Sequence, residues 1–392
     1  MKRTILCSIV GLLMMQTIAS AQSEEGINIF GYAQGQFEQS KVYGIAANSY
    51  NTFGLQQMNM LFEKDLSQSF SSFVNLQFTG NFASNKSWGT FDVEEAWVKY
   101  HGSEYLNIKG GLLVPTFNNF NEIKTKTPLL PYIMRPLVYE SPLADLISAT
   151  NFIPERAFLQ VYGAVPFGSL KCDYAVYVGN DDPDFISGVS RVTSLSGQDT
   201  SSFKMIGGRV GIRAGNLKLG VSGTHDRTNP GSPFALPLFF QGTPVSAVAS
   251  MLGPVVRTRV GVDASYQVAG FSLEAEYIGV MHSPTDHQKA ILSALPRMTG
   301  GALYDNLDKE FYYGTIVYDF NEQYYAYVSY SRIQDNFNVV FHSGMNNYTF
   351  GGGFRPLNSV VVKAQYGRYD MVDRALFDFA MDRLSVAVSV FF

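Results

Sequence analysis

The sequence predicts an all-β fold, a transmembrane antiparallel β-barrel of 16 strands, and three observations predict it. The 392 residues are 46% hydrophobic and 14% aromatic but only 16% charged, against roughly 25% charged in ordinary soluble domains. Beyond residue 20 there is no run of about 18 apolar residues, so helices cannot do the spanning. Apolar and polar residues instead alternate with period two through many segments of about ten residues, the length of a tilted strand crossing a bilayer. The 23 Tyr and 30 Phe exclude a disordered chain, and no G-X-Y period is present.

The first 21 residues read as a cleaved signal peptide. Lys2 and Arg3 open it, Ile5 to Ile18 is mostly apolar, and Ala19-Ser20-Ala21 has the small-x-small cleavage pattern. An N-terminal membrane anchor is the alternative, disfavoured by the short apolar stretch. Residues 22–392 then form a single barrel domain, exported to the bacterial outer membrane. Without Lys2 and Arg3 the chain carries 27 basic and 33 acidic residues, which argues against a nucleic-acid partner. Cys172 becomes the single cysteine, so no internal disulfide forms.

Along the chain the predicted strands are 26–38, 53–64, 70–80, 91–100, 105–115, 155–166, 170–179 and 203–213, followed by 217–225, 256–268, 271–281, 310–320, 324–333, 345–355, 359–369 and 383–392. In 53–64, Met58, Met60 and Phe62 alternate with Gln57, Asn59 and Glu63. In 70–80, Val74, Leu76 and Phe78 alternate with Asn75, Gln77 and Thr79. Val260, Val262, Ala264 and Tyr266 oppose Arg259, Gly261, Asp263 and Ser265, and Phe271, Leu273, Ala275 and Tyr277 oppose Ser272, Glu274 and Glu276. Val360, Val362, Ala364 and Tyr366 oppose Lys363 and Gln365. The last strand is the clearest, with Leu384, Val386, Val388, Val390 and Phe392 on one face and Arg383, Ser385, Ala387 and Ser389 on the other. Soluble sandwiches alternate too, but their mean strand is about 5–6 residues.

Connections alternate between short turns and longer loops, which puts all turns on one rim, as in outer-membrane barrels. Tyr100, Tyr105, Tyr277, Phe311, Tyr312, Phe320, Tyr324, Phe354, Tyr366 and Phe392 fall near strand ends, where aromatic girdles sit at headgroup depth. Ordinary β-propensity is the other explanation.

The segment Leu106 to Asn119, with Gly110, Pro115 and Phe117, and the stretch Arg135-Pro-Leu-Val-Tyr-Glu140 resemble the third-loop region of porins of the phosphate-selective O and P type. The stretches Gly261–Tyr277 and Arg355–Lys363 fit the same style. Terminal Phe392, with Val390 and Val388 at alternate positions, resembles the signal read by the outer-membrane assembly machinery. The resemblance implies sixteen strands, a pore and a homotrimer. It does not extend to phosphate specificity, because the family's basic selectivity residues cannot be placed in this chain.

A barrel of sixteen strands is wide enough for an aqueous channel. Its polar face carries Arg209, Arg213, Lys218, Arg257, Arg259 and Lys363, with Glu38, Glu63, Glu95, Asp263, Glu274, Glu276 and Asp319. In a water-filled lumen these charges need no buried partner; alternatively many pair across strands and stiffen the wall. The longest connection, 116–154, is expected to fold into the lumen as a constriction. Phe117, Phe120, Leu129, Leu130, Tyr132 and Ile133 would anchor it, while Lys124, Lys126, Arg135, Glu122, Glu140 and Asp145 would charge the eyelet. An outward loop that caps the barrel or meets a neighbouring subunit is the alternative.

The expected function is passive diffusion of small hydrophilic solutes and ions through a pore set in outer-membrane lipid. The alternatives are a channel selective for anions or oligosaccharides, and a non-conducting adhesin or structural barrel. No enzyme activity, cofactor or metal is expected. His282 and His287 flank Asp286 with no third ligand fixed, Ser222 lies outside any G-x-S-x-G turn, and Gly207, Gly208 and Gly211 have no βαβ unit around them.

Overall fold

The computed structural model describes residues 26–44, 48–81, 89–139, 152–180, 203–228, 239–240, 243–244, 254–294, 308–335, 344–372 and 379–392. The signal-peptide region, Glu140 and Asp145 lie outside these described residues.

The wall is built from β1 (Asn28–Gly44), β2 (Asn48–Ser67), β3 (Phe70–Asn81), β4 (Thr90–His101), β5 (Asn107–Leu113), β6 (Ala157–Phe167), β7 (Leu170–Asn180) and β8 (Lys204–Ala214). It continues through β9 (Leu217–Thr228), β10 (Val255–Val268), β11 (Phe271–Ser283), β12 (Lys309–Asp319), β13 (Tyr324–Asp335), β14 (Met345–Leu357), β15 (Val360–Met371) and β16 (Phe379–Phe391). Each strand pairs antiparallel with its sequence neighbour, and β1 pairs with β16 from Tyr32↔Phe391 to Gly44↔Phe379, so the sheet closes into a 16-stranded barrel. The seam ends where Gly31 N–H donates to Phe392 O at 2.7 Å and Phe392 N–H to Gly31 O at 3.0 Å. Closure matters because lipid offers the backbone no hydrogen-bond partners.

All 16 predicted strands are present, with shifted ends. The expected connection 39–52 shrinks to 45–47, because Gln39↔Asn51 and Ser40↔Tyr50 continue the ladder. That stretch lacks alternation, since main-chain pairing needs no apolar face. β5 stops earlier than predicted, just before Pro115, which has no N–H to donate. The β10–β11 turn places both Ala269 (φ 47°) and Gly270 (φ 84°) in the left-handed region, as a type I′ turn demands.

The predicted outward set on β16 is outward: Leu384, Val386, Val388 and Val390 are exposed, while Arg383, Ser385, Ala387 and Ser389 are buried. Aromatics pair across strands near the short-turn rim, with Tyr324 stacked on Phe354 at 4.9 Å and Phe70 tilted against Tyr100 at 5.2 Å. Phe311 departs from the predicted girdle. It is fully buried on the inward face, because the phase of β12 puts Tyr312 outside. The inward face is also not uniformly polar. On β11 to β14, Ile278, Val280, Phe311, Tyr313, Tyr325, Tyr327, Ile333 and Met345 form an apolar inner patch. A period-two reading identifies two faces, but not which stretch of the inner one meets protein instead of water.

The register generates two expectations. Val388→Arg, outward on β16, should destabilise the barrel by about 2–4 kcal/mol, and Gln77→Arg by much less. Reversible unfolding of the folded protein in lipid vesicles measures both, and the opposite order would invert the inside–outside assignment. Cys172 shares the outward face with Val176, which is exposed, while Ala175 and Tyr177 are buried inward. A membrane-impermeant thiol reagent should therefore label Cys172 slowly in the folded protein and rapidly after unfolding.

Candidate functional site

The inward charges are built into a ladder across β7 to β10. Arg257 grips Asp226 with two hydrogen bonds, Nε to Oδ1 at 2.8 Å and Nη2 to Oδ2 at 2.6 Å, and Arg259 reaches the same Oδ2 at 2.7 Å. Arg209 grips Asp263 in the same bidentate way and also holds Asp173 at 2.8 Å. Arg213, at the exposed end, donates to Asp173 at 3.0 Å. Of the two readings of the inward charges, these residues follow the one in which they pair across strands. Arg257 and Arg259 are 0% and 1% exposed, and buried guanidinium groups need carboxylates for their desolvation to be offset. Asp226 escaped sequence reading because β9 runs three residues beyond its predicted end at 225. Lys218 lies exposed near the short-turn rim.

A second set of inward groups binds the chain segment 114–139. Lys363, 1% exposed, directs its ammonium at Leu130 O (2.6 Å), Pro128 O (3.0 Å), Tyr132 O (3.1 Å), Thr127 O (3.3 Å) and Gln34 Oε1 (3.1 Å). These carbonyls belong to a proline-rich turn, Lys124–Leu129, and its continuation, which have no sheet to satisfy them. Next to it on β15, Gln365 Oε1 accepts from the N–H groups of Ile133 (2.7 Å) and Met134 (2.9 Å). On β11, Glu276 accepts from Phe120 N–H and Tyr139 Oη, both at 2.7 Å, and Glu274 accepts from Tyr313 Oη at 2.7 Å. Asn118 N–H donates to Ser222 Oγ at 2.9 Å, which gives that serine a structural partner. The same asparagine lies so close to β10 that a Cβ on Gly261 would stand 2.1 Å from its Oδ1.

Aromatic contacts complete the attachment. Phe120 meets Tyr139 at 4.6 Å and Tyr313 at 6.0 Å, and Tyr132 meets Tyr327 edge-on at 5.3 Å. The predicted anchors Phe117, Phe120, Tyr132 and Ile133 are buried here, whereas Leu129 is exposed.

Of the six proposed eyelet charges, the four that are described, Glu122, Lys124, Lys126 and Arg135, do not line one cavity together. Lys124 and Arg135 line a cavity of about 760 Å³ on the long-connection side, against β1 to β4. Glu122 and Lys126 line a cavity of about 470 Å³ on the short-turn side, and Glu122 also borders a neighbouring one of about 340 Å³. Between them, Tyr32 Oη and Gln57 Nε2 both donate to Thr125 O. Burial pushes the Lys124 amine down to about 8, with Glu155 and Glu94 acting against the shift.

Two wall irregularities supply polar groups that alternation cannot reveal. A bulge in β2 opposite Gln34/Gly35 places both Gln56 and Gln57 at the larger cavity. A second, in β4 opposite Asn75/Leu76, adds Glu94, which is 5% exposed and holds Arg156 through two bonds of 3.0 and 2.7 Å. Bulges re-aim side chains in this way next to functional sites.

No family model and no curated protein sequence matches the chain. Solved structures do. OmpF of Salmonella typhi, in complex with daunomycin, superposes with a TM-score of 0.58 at 13% identity, over 93% of this chain and 97% of that one. The outer membrane channel DcaP of Acinetobacter baumannii gives 0.57 at 12%, over 95% and 99%. A trimer form of OmpT, an outer membrane protein of Vibrio cholerae, gives 0.52 at 11%, over 94% and 99%. At these identities the likeness is one of architecture: the chain has the 16-stranded barrel fold of outer-membrane proteins.

Proposed function

We propose that the protein is an outer-membrane channel for passive diffusion of small hydrophilic solutes and ions, and that segment 114–139 folds into the lumen and narrows it. The observation that carries this reading is the pair of cavities beside β1 to β5, one on each side of Lys124–Lys126 and each with charged side chains in its lining. Ions crossing there would pass Lys124, Lys126, Arg135 and Glu122, and Glu140 and Asp145 follow Tyr139 closely in sequence. Charge beside a narrow passage acts through little screening water and so dominates selectivity.

Residues 1–21 serve as the export signal, Phe392 with Val390 and Val388 as the assembly signal, and outer-membrane lipid as the surroundings of the exposed face. The resemblance to the O and P type and the trimeric neighbour support a homotrimer. Phosphate selection is not part of the proposal, since the inward arginines on β8 and β10 are already held by aspartates. Catalysis, cofactors and nucleic acid have no part in it either. The dense aromatic packing of Phe120, Tyr132 and Tyr139 favours a second reading, a barrel whose interior is shut. Planar-bilayer recordings of the purified protein decide: discrete conductance steps support the channel, and their absence selects the shut barrel.

Replacing Lys124, Lys126 and Arg135 with Gln should move the reversal potential in a salt gradient toward cation preference. In the wild type, raising the pH through 8 should act in the same direction, because Lys124 loses its proton there. An unmoved reversal potential in the triple variant contradicts the constriction.

Lys363→Met should free the turn 127–132, since each hydrogen bond to a charged group contributes about 1.5–3 kcal/mol. Heat-modifiable folded barrel should persist, with larger or noisier conductance. A trace identical to the wild type would show that Lys363 does not hold the segment in place.

A further inference from the structure

The cavity of about 760 Å³ on the long-connection side has the size of a small-molecule site. Its lining is unusual in chemistry. Gln36, Gln56, Gln57 and Gln77 face it together with Thr52, Thr79, Thr90 and Thr125. An amide carries a donor and an acceptor and a hydroxyl can act as either, and some of these already bond the protein: Gln56 Nε2 donates to Ile133 O, Gln57 Nε2 to Thr125 O, and the Thr79 and Thr90 hydroxyls bond each other. The charged groups there are largely committed to one another. Arg156 is paired with Glu94 at 2.7 Å and Arg383 with Glu38 at 3.3 Å, and Arg135 donates to the Lys124 carbonyl.

Two polar atoms in this lining want a partner. Thr125 is 3% exposed, and its Oγ1 has no hydrogen bond among the described residues. Gln36 Oε1 is buried and equally without one. A buried polar atom left unpaired is costly, so a cavity that keeps two of them is shaped for something that bonds to them. The bulge that brings both Gln56 and Gln57 to the cavity, and the one that adds Glu94, show the same surplus of polar groups at one place.

From this lining we infer a binding site for a neutral, polyhydroxylated solute, a mono- or disaccharide, between segment 124–135 and the wall of β1 to β4. Four basic and three acidic side chains line the cavity, Lys124 and Glu155 among them, so neither an anion nor a cation meets a wall of one sign. Sugar hydroxyls, which donate and accept, match amides and hydroxyls that do the same. The inference deepens the channel reading and rests on it for access to the site.

The test uses the full protein, folded in detergent for calorimetry and in planar bilayers for current, with glucose and sucrose as probes. Saturable heat with at least one of the two sugars, and saturable block of the current by the same sugar, are the expected results. Apart from the long Gln36 Nε2 to Glu38 Oε2 bond of 3.5 Å, the variant pair Gln36→Met and Thr125→Val removes groups without a hydrogen-bond partner among the described residues, so the barrel should fold normally. The concentration for half-saturation should rise roughly tenfold in the double variant. No saturable heat with either sugar overturns the site, as does heat unchanged by the double variant, or saturation by sodium phosphate in place of the sugars. Saturable heat in a protein that shows no conductance keeps the site and overturns the channel.

Discussion

Everything in this molecule follows from the requirement that no backbone N–H or C=O be left open toward lipid. A sheet meets that requirement only by returning to itself, and β1 and β16 do so along 13 paired residues from Tyr32↔Phe391 to Gly44↔Phe379. Closure then sorts every strand into two faces. Val262, Val386 and Val388 face outward because lipid accepts them, and Asp263, Arg259 and Ser385 face inward because lipid does not.

Closure also creates a problem inside. An inward face rich in arginine, aspartate and glutamine must be wetted or paired, and here much of it is paired. Asp226 serves two arginines, and Arg209 serves two aspartates. Where the wall has no counter-charge, main chain replaces it. The ammonium of Lys363 is ringed by carbonyls from the proline-rich turn, and Glu276 by an N–H and a phenol from the same segment. The bonding runs both ways. Proline stiffens the turn but denies it a regular ladder, so its orphan carbonyls need a donor as much as Lys363 needs acceptors. Tyrosines on β12 and β13 add apolar area with a polar end, so the inner wall can hold protein over one arc while staying hydrophilic over the rest.

That asymmetry places the cavities. Segment 114–139 packs its aromatics toward β11 to β15, and the open volume lies beside β1 to β8. Bulges in β2 and β4 then concentrate amides and a carboxylate there, at the expense of regular pairing. In the proposed channel, the functional surface is one arc of the wall and the face of the segment opposite it, not the whole circumference.

The barrel, its strand count and its two faces were legible in the sequence, because period-two alternation is a local consequence of strand geometry, and Leu384 to Phe392 shows it without any partner present. The inward location of Arg209, Arg257, Arg259, Asp263, Glu274, Glu276 and Lys363 was legible for the same reason. Their partners were not. Asp226 required the true end of β9, Gln56 and Glu94 required bulges, and the ring of carbonyls around Lys363 joins residues more than 230 positions apart. By itself the sequence determined the repeat that makes a strand and the side that meets lipid, since both depend on neighbours one and two residues away. Only the tertiary structure decided which inward groups are satisfied by one another, which by segment 114–139, and which are left facing a cavity, because those pairings depend on how the closed wall brings distant strands around one interior.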